Sequence, residues 1–267
     1  METSQSGATW RRRLQGVLLS LFATVRRTGV LDSRPGRWAF ENSYELYKRL
    51  IEAGEIDRLA PFIPPGSLAI DVGANVGFFT TRFARWVGPQ GAVIAIEPEA
   101  VNFARLRRRI DGEKLADRVE CLEAAACEAE GTVLLEINPD HPGDHKLGAS
   151  GVPIRAVALD DLVAARGWPA VSLIKIDVQG AELRVLAGVH AVIERFHPAM
   201  FIEVDDGALR RLGGSAASLI ETMASFGYRA HRLGREGVSP PLPEEALAAL
   251  SGADAGYTDL LFLPAPP

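Results

Sequence analysis

The chain has 267 residues, 47% of them hydrophobic and 24% charged, which fits one large soluble domain with an added N-terminal element. A formal net charge of −5 argues against nucleic acid as a partner, because phosphate binding needs a basic surface. The two cysteines, Cys121 and Cys127, lie too close in sequence for a disulfide framework or a zinc site, and read as buried thiols of a reducing, cytoplasmic compartment.

Residues 10–27, WRRRLQGVLLSLFATVRR, hold an apolar run between two arginine clusters. The run is shorter than the roughly 20 residues that span a bilayer, and no convincing small-residue cleavage site follows it. A helix is expected there, either packed on the main domain or lying peripherally on an anionic membrane surface. A loop follows at Asp32–Gly36, and then residues 41–63 carry Leu46, Leu50 and Ile51 at helical spacing. Pro64-Pro65-Gly66 stops that pattern, so residues 1–64 read as an N-terminal helical extension and 65–267 as the main domain.

Beyond it the pattern alternates. Strands are expected at Ser67–Val72, Ala92–Ile96 and Val119–Glu123, separated by helices near 77–87 and 99–110. Short strands near Val133–Ile137 and Ile154–Ala158 bracket a loop rich in Pro, Gly and His. Val171–Asp177 is apolar and β-branched, as a buried parallel strand should be. A helix over 180–195, a strand Ala199–Val204, a helix near 215–226 and closing strands Tyr228–Leu233 and Asp259–Leu263 complete the series. Such alternation implies a mostly parallel sheet covered on both faces.

The first strand runs into Asp71-Val72-Gly73-Ala74-Asn75-Val76-Gly77-Phe78-Phe79. In open α/β sheets ligands bind beyond the carboxyl ends of the strands, and glycines there let a ligand approach the backbone. The spacing is G-x-x-x-G, a poor match to the G-x-G-x-x-G of a dinucleotide cradle, and Asp71 would repel a pyrophosphate. Glu97 ends the second strand, about where a carboxylate accepts hydrogen bonds from ribose hydroxyls. An acid for an amino group and an acid for a ribose, without a phosphate cradle, describe S-adenosylmethionine. The plainer alternative is a helix-capping Asp71 and a solvated Glu97.

Ile70–Phe79, Glu97-Pro98, Ala158-Leu159-Asp160-Asp161-Leu162 and Lys175-Ile176-Asp177-Val178-Gln179-Gly180-Ala181-Glu182 together resemble the FkbM family of S-adenosylmethionine-dependent methyltransferases, over roughly residues 65 to 235. The resemblance implies a Rossmann-like class I methyltransferase fold, with a mostly parallel seven-stranded sheet and helices on both faces. It implies O-methylation of a small-molecule or glycan hydroxyl: sugars, glycolipids, polysaccharides or polyketide-type natural products. Carried over by position, Asp71, Gly73, Asn75 and Gly77 would hold the methionine part, and Phe78 would also meet the cofactor. Glu97 and Pro98 would meet the ribose, Glu123 and Ala124 would border the adenine, and Asp177 would lie beside the cofactor. Gln179 departs from the family, where Glu is usual, and so removes a charge beside the site. A non-catalytic S-adenosylmethionine-binding module is the alternative.

A hydroxyl is a weak nucleophile and benefits from a nearby base. Asp177, at a strand end, is one candidate. The loop Asn138–Lys146 is the other, with His145 favoured over His141 and Asp144 beside it, since histidine titrates near neutrality. His145 also resembles a position where family members often carry G-D-H. Glu182, Glu203 and His141 are candidate acceptor contacts. No ligand spacing diagnostic of a metal occurs among these residues.

Overall fold

A computed structural model describes residues 56–138, 145–234, 236–252 and 256–265. The chain divides after Gly54, and every described residue lies in the second unit, Glu55–Pro267. The helix expected at 10–27, and with it the membrane question, lies outside the described residues, as does most of the pattern at 41–63. Among the described residues no helix is long and apolar enough to cross a membrane.

A short 3-10 helix at Asp57–Phe62 packs beside the first α-helix, and Ile56, Leu59 and Ile63 are buried in the domain's core. There follow β1 (Leu68–Val72), α1 (Thr80–Trp86), β2 (Ala92–Ile96), α2 (Ala100–Gly112) and β3 (Val119–Leu122). A smaller sheet comes next, from β4 (Ala125–Ala126), β5 (Gly131–Glu136), β6 (Lys146–Gly148) and β7 (Val152–Val157). The main sheet resumes through α3 (Leu159–Ala164), β8 (Val171–Ile176), α4 (Glu182–Ala187), α5 (His190–Phe196), β9 (Ala199–Asp205), α6 (Asp206–Arg211) and α7 (Ala216–Ser225). It closes with β10 (Tyr228–His231), the small ladder β11 (Leu233–Gly234) and β12 (Gly237–Val238), α8 (Glu244–Ala248) and β13 (Tyr257–Pro264).

Seven strands form one sheet in the order β10-β13-β9-β8-β1-β2-β3. The five from β3 to β9 run parallel, and β13 is antiparallel to both β9 and β10. This is the Rossmann-like, mostly parallel seven-stranded sheet that was expected. Chain order reverses between β1 and β8, so a crevice opens beyond their carboxyl ends.

Period-two alternation decides which side chains reach which face. Leu68, Ile70 and Val72 pack with Ile94, Ile174 and Ile202 in one core, under α3, α4, α5 and α7. Ala69 shares the opposite core with Val93, Leu173, Phe83 and Leu106, under α1 and α2. Asp71 and Lys175 share the parity of Ala69 and Leu173, so both face α1.

Several elements differ from expectation. The helix expected over 180–195 is two helices, α4 and α5, broken at Gly188. A Cβ there would stand 2.1 Å from the Cys127 carbonyl oxygen, so only glycine lets β4 pass this closely. Asp160 fixes the start of α5 by accepting hydrogen bonds from the N–H groups of Ala191 and Val192, both at 2.9 Å. Asp205 ends β9 and caps α6 at the Ala208 N–H, and Asp206, the first residue of α6, is buried and accepts from Ala216 and Gly252. Cys127 is buried and Cys121 half-buried, both as free thiols.

Candidate active site

The turn after β1 is tied down by its own amides. The N–H groups of Gly73 and Ala74 both donate to the Ile96 carbonyl at 3.0 Å, and that of Asn75 donates to Glu97 Oε2 at 2.8 Å. Gly77 closes the turn by donating to the Ala74 carbonyl at 2.8 Å. None of the first three amides is left to cradle a phosphate, which disfavours the dinucleotide reading on geometry as well as spacing. Gly73 has φ +75°, and a Cβ on it would stand 1.9 Å from the Asp177 carbonyl oxygen. The loops after β1 and β8 therefore touch backbone to backbone across the switch point. Gly73→Ala is expected to destabilise the protein by more than about 1 kcal/mol, since both φ and space are wrong for a side chain; thermal melting measures it, and an unchanged Tm would contradict the contact.

Asp71 does not lie open on the crevice. It is fully buried; Thr80 Oγ1 donates to its Oδ2 at 2.6 Å, and Lys175 Nζ stands 3.4 Å from its Oδ1, an oxygen with no hydrogen-bond donor. Lys175 is itself buried. Its ammonium donates to the carbonyls of Gly73 at 2.8 Å and Val72 at 3.3 Å, lies 3.4 Å from Asp177 Oδ2, and sits 5.2 Å above the Phe79 ring. One lysine thus links the ends of β1 and β8. Phe78 is buried beneath the Arg82 guanidinium and edge-on to Phe79, the ring that Lys175 faces.

At the end of β2, Glu97 is 5% exposed. Its carboxyl accepts from Asn75 and from the Glu99 N–H at 3.0 Å. Burial pushes it up to about 7, against the pull of those two N–H donors and of Lys175. Glu99 caps α2 by accepting from Val101 and Asn102. Pro98 lies between these two acids, half-buried; beyond β3, Glu123 is exposed and Ala124 buried.

His145 approaches this corner from the second sheet. Its Nδ1 accepts the Asn138 N–H at 3.1 Å, and its Nε2 lies 3.9 Å from Glu99 Oε2. A neutral ring accepting at Nδ1 carries its proton on Nε2. His141 and Asp144 lie outside the described residues.

On the other side of the switch point, Asp177 is partly exposed and faces Lys175 and Gln179. Glu203 lies in β9 two residues before its end, and its carboxyl is pushed up to about 10, first by burial and then by the charges of Asp177, Asp259 and Glu182. Glu182, at the start of α4, is buried and accepts from the N–H groups of Gly180 and Val178; burial pushes it up to about 7. Among the described residues no cluster of His, Cys, Asp and Glu has the arrangement of a metal site. Thr80, Phe79, Glu99 and Lys175 were not singled out as site residues from sequence, although alternation along β8 places Lys175 on the same face as Asp177.

Known proteins resemble this chain in sequence. The profile of the Methyltransferase FkbM domain matches residues 71–230, more than half of the chain. The 31-O-demethyl-FK506 methyltransferase FkbM of Streptomyces tacrolimicus is 33% identical, over 47% of this chain and 60% of that protein. The hexuronic acid methyltransferase AglP of Haloferax volcanii is 31% identical, over 45% of this chain and 48% of that protein. The matches therefore span less than two thirds of either relative. Among solved structures, the methyltransferase FkbM from Methylobacillus flagellatus KT superposes with a TM-score of 0.48 at 21% identity, covering 74% of this chain and 44% of that one. With the motif order, the sheet order and the family profile in agreement, the chain belongs to the FkbM family of methyltransferases.

Proposed function

We propose that this protein methylates a hydroxyl of a sugar, glycolipid, polysaccharide or polyketide-type acceptor, using S-adenosylmethionine. The observation that supports it best is the corner at the end of β2. A buried carboxylate, Glu97, stands beside a turn whose amides are already engaged within the protein. That corner suits a ribose and has no place for a phosphate. When bound, the cofactor supplies an electrophilic methyl on a positively charged sulfur, so that a C–O bond forms as the C–S bond breaks.

The chain's own residues then have distinct tasks. Glu97 accepts from the ribose hydroxyls with the lone pairs that Asn75 and Glu99 leave. The Gly73–Gly77 turn lets the amino-acid end lie against backbone. Asp71 acts from below by fixing Lys175 and Thr80. The acids along the strand ends favour a cation over an anion in the crevice. Asp177 takes the acceptor's proton: the acceptor O–H bond breaks and the proton passes to the carboxylate. We assign this step to Asp177 rather than His145, because a neutral His145 accepting at Nδ1 has no nitrogen left to receive a proton. His145 instead links the Asn138 N–H, beyond β5, to Glu99. The relatives' names supply an oxygen position, 31-O, in one case and a sugar acid in the other.

Calorimetry with S-adenosylmethionine and with NAD tests the cofactor, and binding of NAD alone would overturn the reading. Incubation of cell extract with enzyme and cofactor should yield a product heavier by one methyl group, read by mass spectrometry. Cofactor binding with no such product would point to a non-catalytic module.

A further inference from the structure

On the acceptor side, the side chain of Gln179 lies between two acids. Its Nε2 donates to Glu203 Oε2 at 2.9 Å and, more weakly, to Asp177 Oδ1 at 3.4 Å. The backbone is bent to bring it there: Gln179 has φ +54°, a conformation that side-chain-bearing residues rarely adopt and that clusters at functional sites. β8 and β9 are adjacent and in register, Lys175 opposite Phe201 and Ile176 opposite Ile202, which sets Asp177 beside Glu203. Asp259 of β13 stands opposite Glu203 on the other side. Glu182, 2% exposed, leaves Oε2 without a hydrogen-bond partner, and its charge bears on both Glu203 and Asp177. Lys175 faces this row from β8, and Asp71 and two carbonyls already engage it.

We propose that Gln179 is the specificity-determining residue of the acceptor side, its carboxamide holding Glu203 and Asp177 together so that the row takes a neutral polyhydroxyl acceptor and rejects a carboxylate-bearing one. This rests on the reading of Asp177 as the proton acceptor. Glu203 keeps its proton at neutral pH, since burial and the neighbouring acids hold its carboxyl at about 10. With Gln179 donating to one oxygen, Glu203 has an O–H to offer, while Asp177 has only lone pairs. A donor beside an acceptor matches hydroxyls, each of which is both. A carboxylate is acceptor-only and would set a further negative charge beside Asp177, whose charge already bears on Glu203. A glutamate at position 179 would set a third carboxyl between the two acids and remove the donor that joins them.

The test uses the full chain with methyl-labelled S-adenosylmethionine and cell extract as the acceptor pool, the labelled products being separated by anion exchange at pH 7. The wild-type label is expected in the neutral fraction; label in the carboxylate-bearing fraction overturns the assignment. Gln179→Glu and Gln179→Met should lower labelled product at least tenfold while the Kd for S-adenosylmethionine stays within twofold. The exchange Gln179→Glu with Glu203→Gln, which restores an amide–carboxyl pair, should recover most of the loss. Undiminished product in both single variants, or equal loss in the exchange variant, overturns the role of Gln179. No labelled product from the wild-type protein removes the reading of the enzyme itself, and this assignment with it.

Discussion

Lys175→Met is expected to lower the stability of the protein by about 3–5 kcal/mol, the usual loss when one partner is taken from a buried ion pair. The magnitude follows from the fate of Asp71. That side chain is 0% exposed, and with the ammonium gone Thr80 is its remaining hydrogen-bond donor among the described residues. The Gly73 carbonyl loses its lysine donor in the same step, while the Val72 carbonyl keeps the N–H of Asp177. Methionine keeps the volume and the contact with Phe79, so a cavity does not confuse the result. Chemical denaturation should show a lower midpoint at an unchanged slope. The double variant Lys175→Met with Asp71→Leu should regain much of the loss, because no buried charge is then left alone. A loss under 1 kcal/mol in the single variant would mean that water reaches Asp71, and that the lysine does not close the end of β1.

How much of this was legible in the sequence depends on the range of the interaction. The position of Glu97 could be read because a strand pattern has an end, and in open α/β sheets ligands bind beyond the carboxyl ends of the strands. The glycine turn was legible for the same reason. Asp71 was located, but its surroundings were not. Its donor Thr80 lies nine residues away, while Lys175 lies over a hundred away and meets it only because β8 pairs with β1. The pattern offered Asp71 to the ligand and could not show that the fold also sets it against Lys175 and Thr80. The second sheet was half-read, because β4 and β6 are two and three residues long and too short to show alternation. The break between α4 and α5 was missed because a glycine within a helical pattern signals nothing by itself; the Cys127 carbonyl that demands it comes from another sheet. His145 was found by composition, yet its role turns on which nitrogen accepts the Asn138 N–H, and no sequence carries that.

The Kd for S-adenosylmethionine is expected to be about tenfold weaker at pH 6 than at pH 8, through Glu97. Burial raises this carboxyl from 4.5 to about 7 in the free protein, so it is largely protonated at pH 6 and largely ionised at pH 8. A sulfonium nearby and ribose hydroxyls donating to the carboxylate both favour the ionised form, so binding expels the proton, and each pH unit below 7 weakens binding about tenfold. In the free protein the sign is opposite. A carboxyl whose folded value is raised contributes stability that is complete below pH 4.5 and lost as pH rises through 7, here on the order of 3 kcal/mol. Glu182 is raised over the same range, so removing Glu97 flattens only part of that slope. Glu97→Gln should abolish most of the pH dependence of binding, and weaken it at pH 8 by about 1.5–3 kcal/mol for a lost charged hydrogen bond. The amide also turns a donor towards the N–H of Asn75 or Glu99, where the carboxylate had only acceptors. Calorimetry across pH 6 to 8 on both proteins separates this from titration of the ligand's own amino group, which the variant shares. Equal pH dependence in the two proteins would show that the buried carboxyl at the end of β2 does not hold the nucleoside.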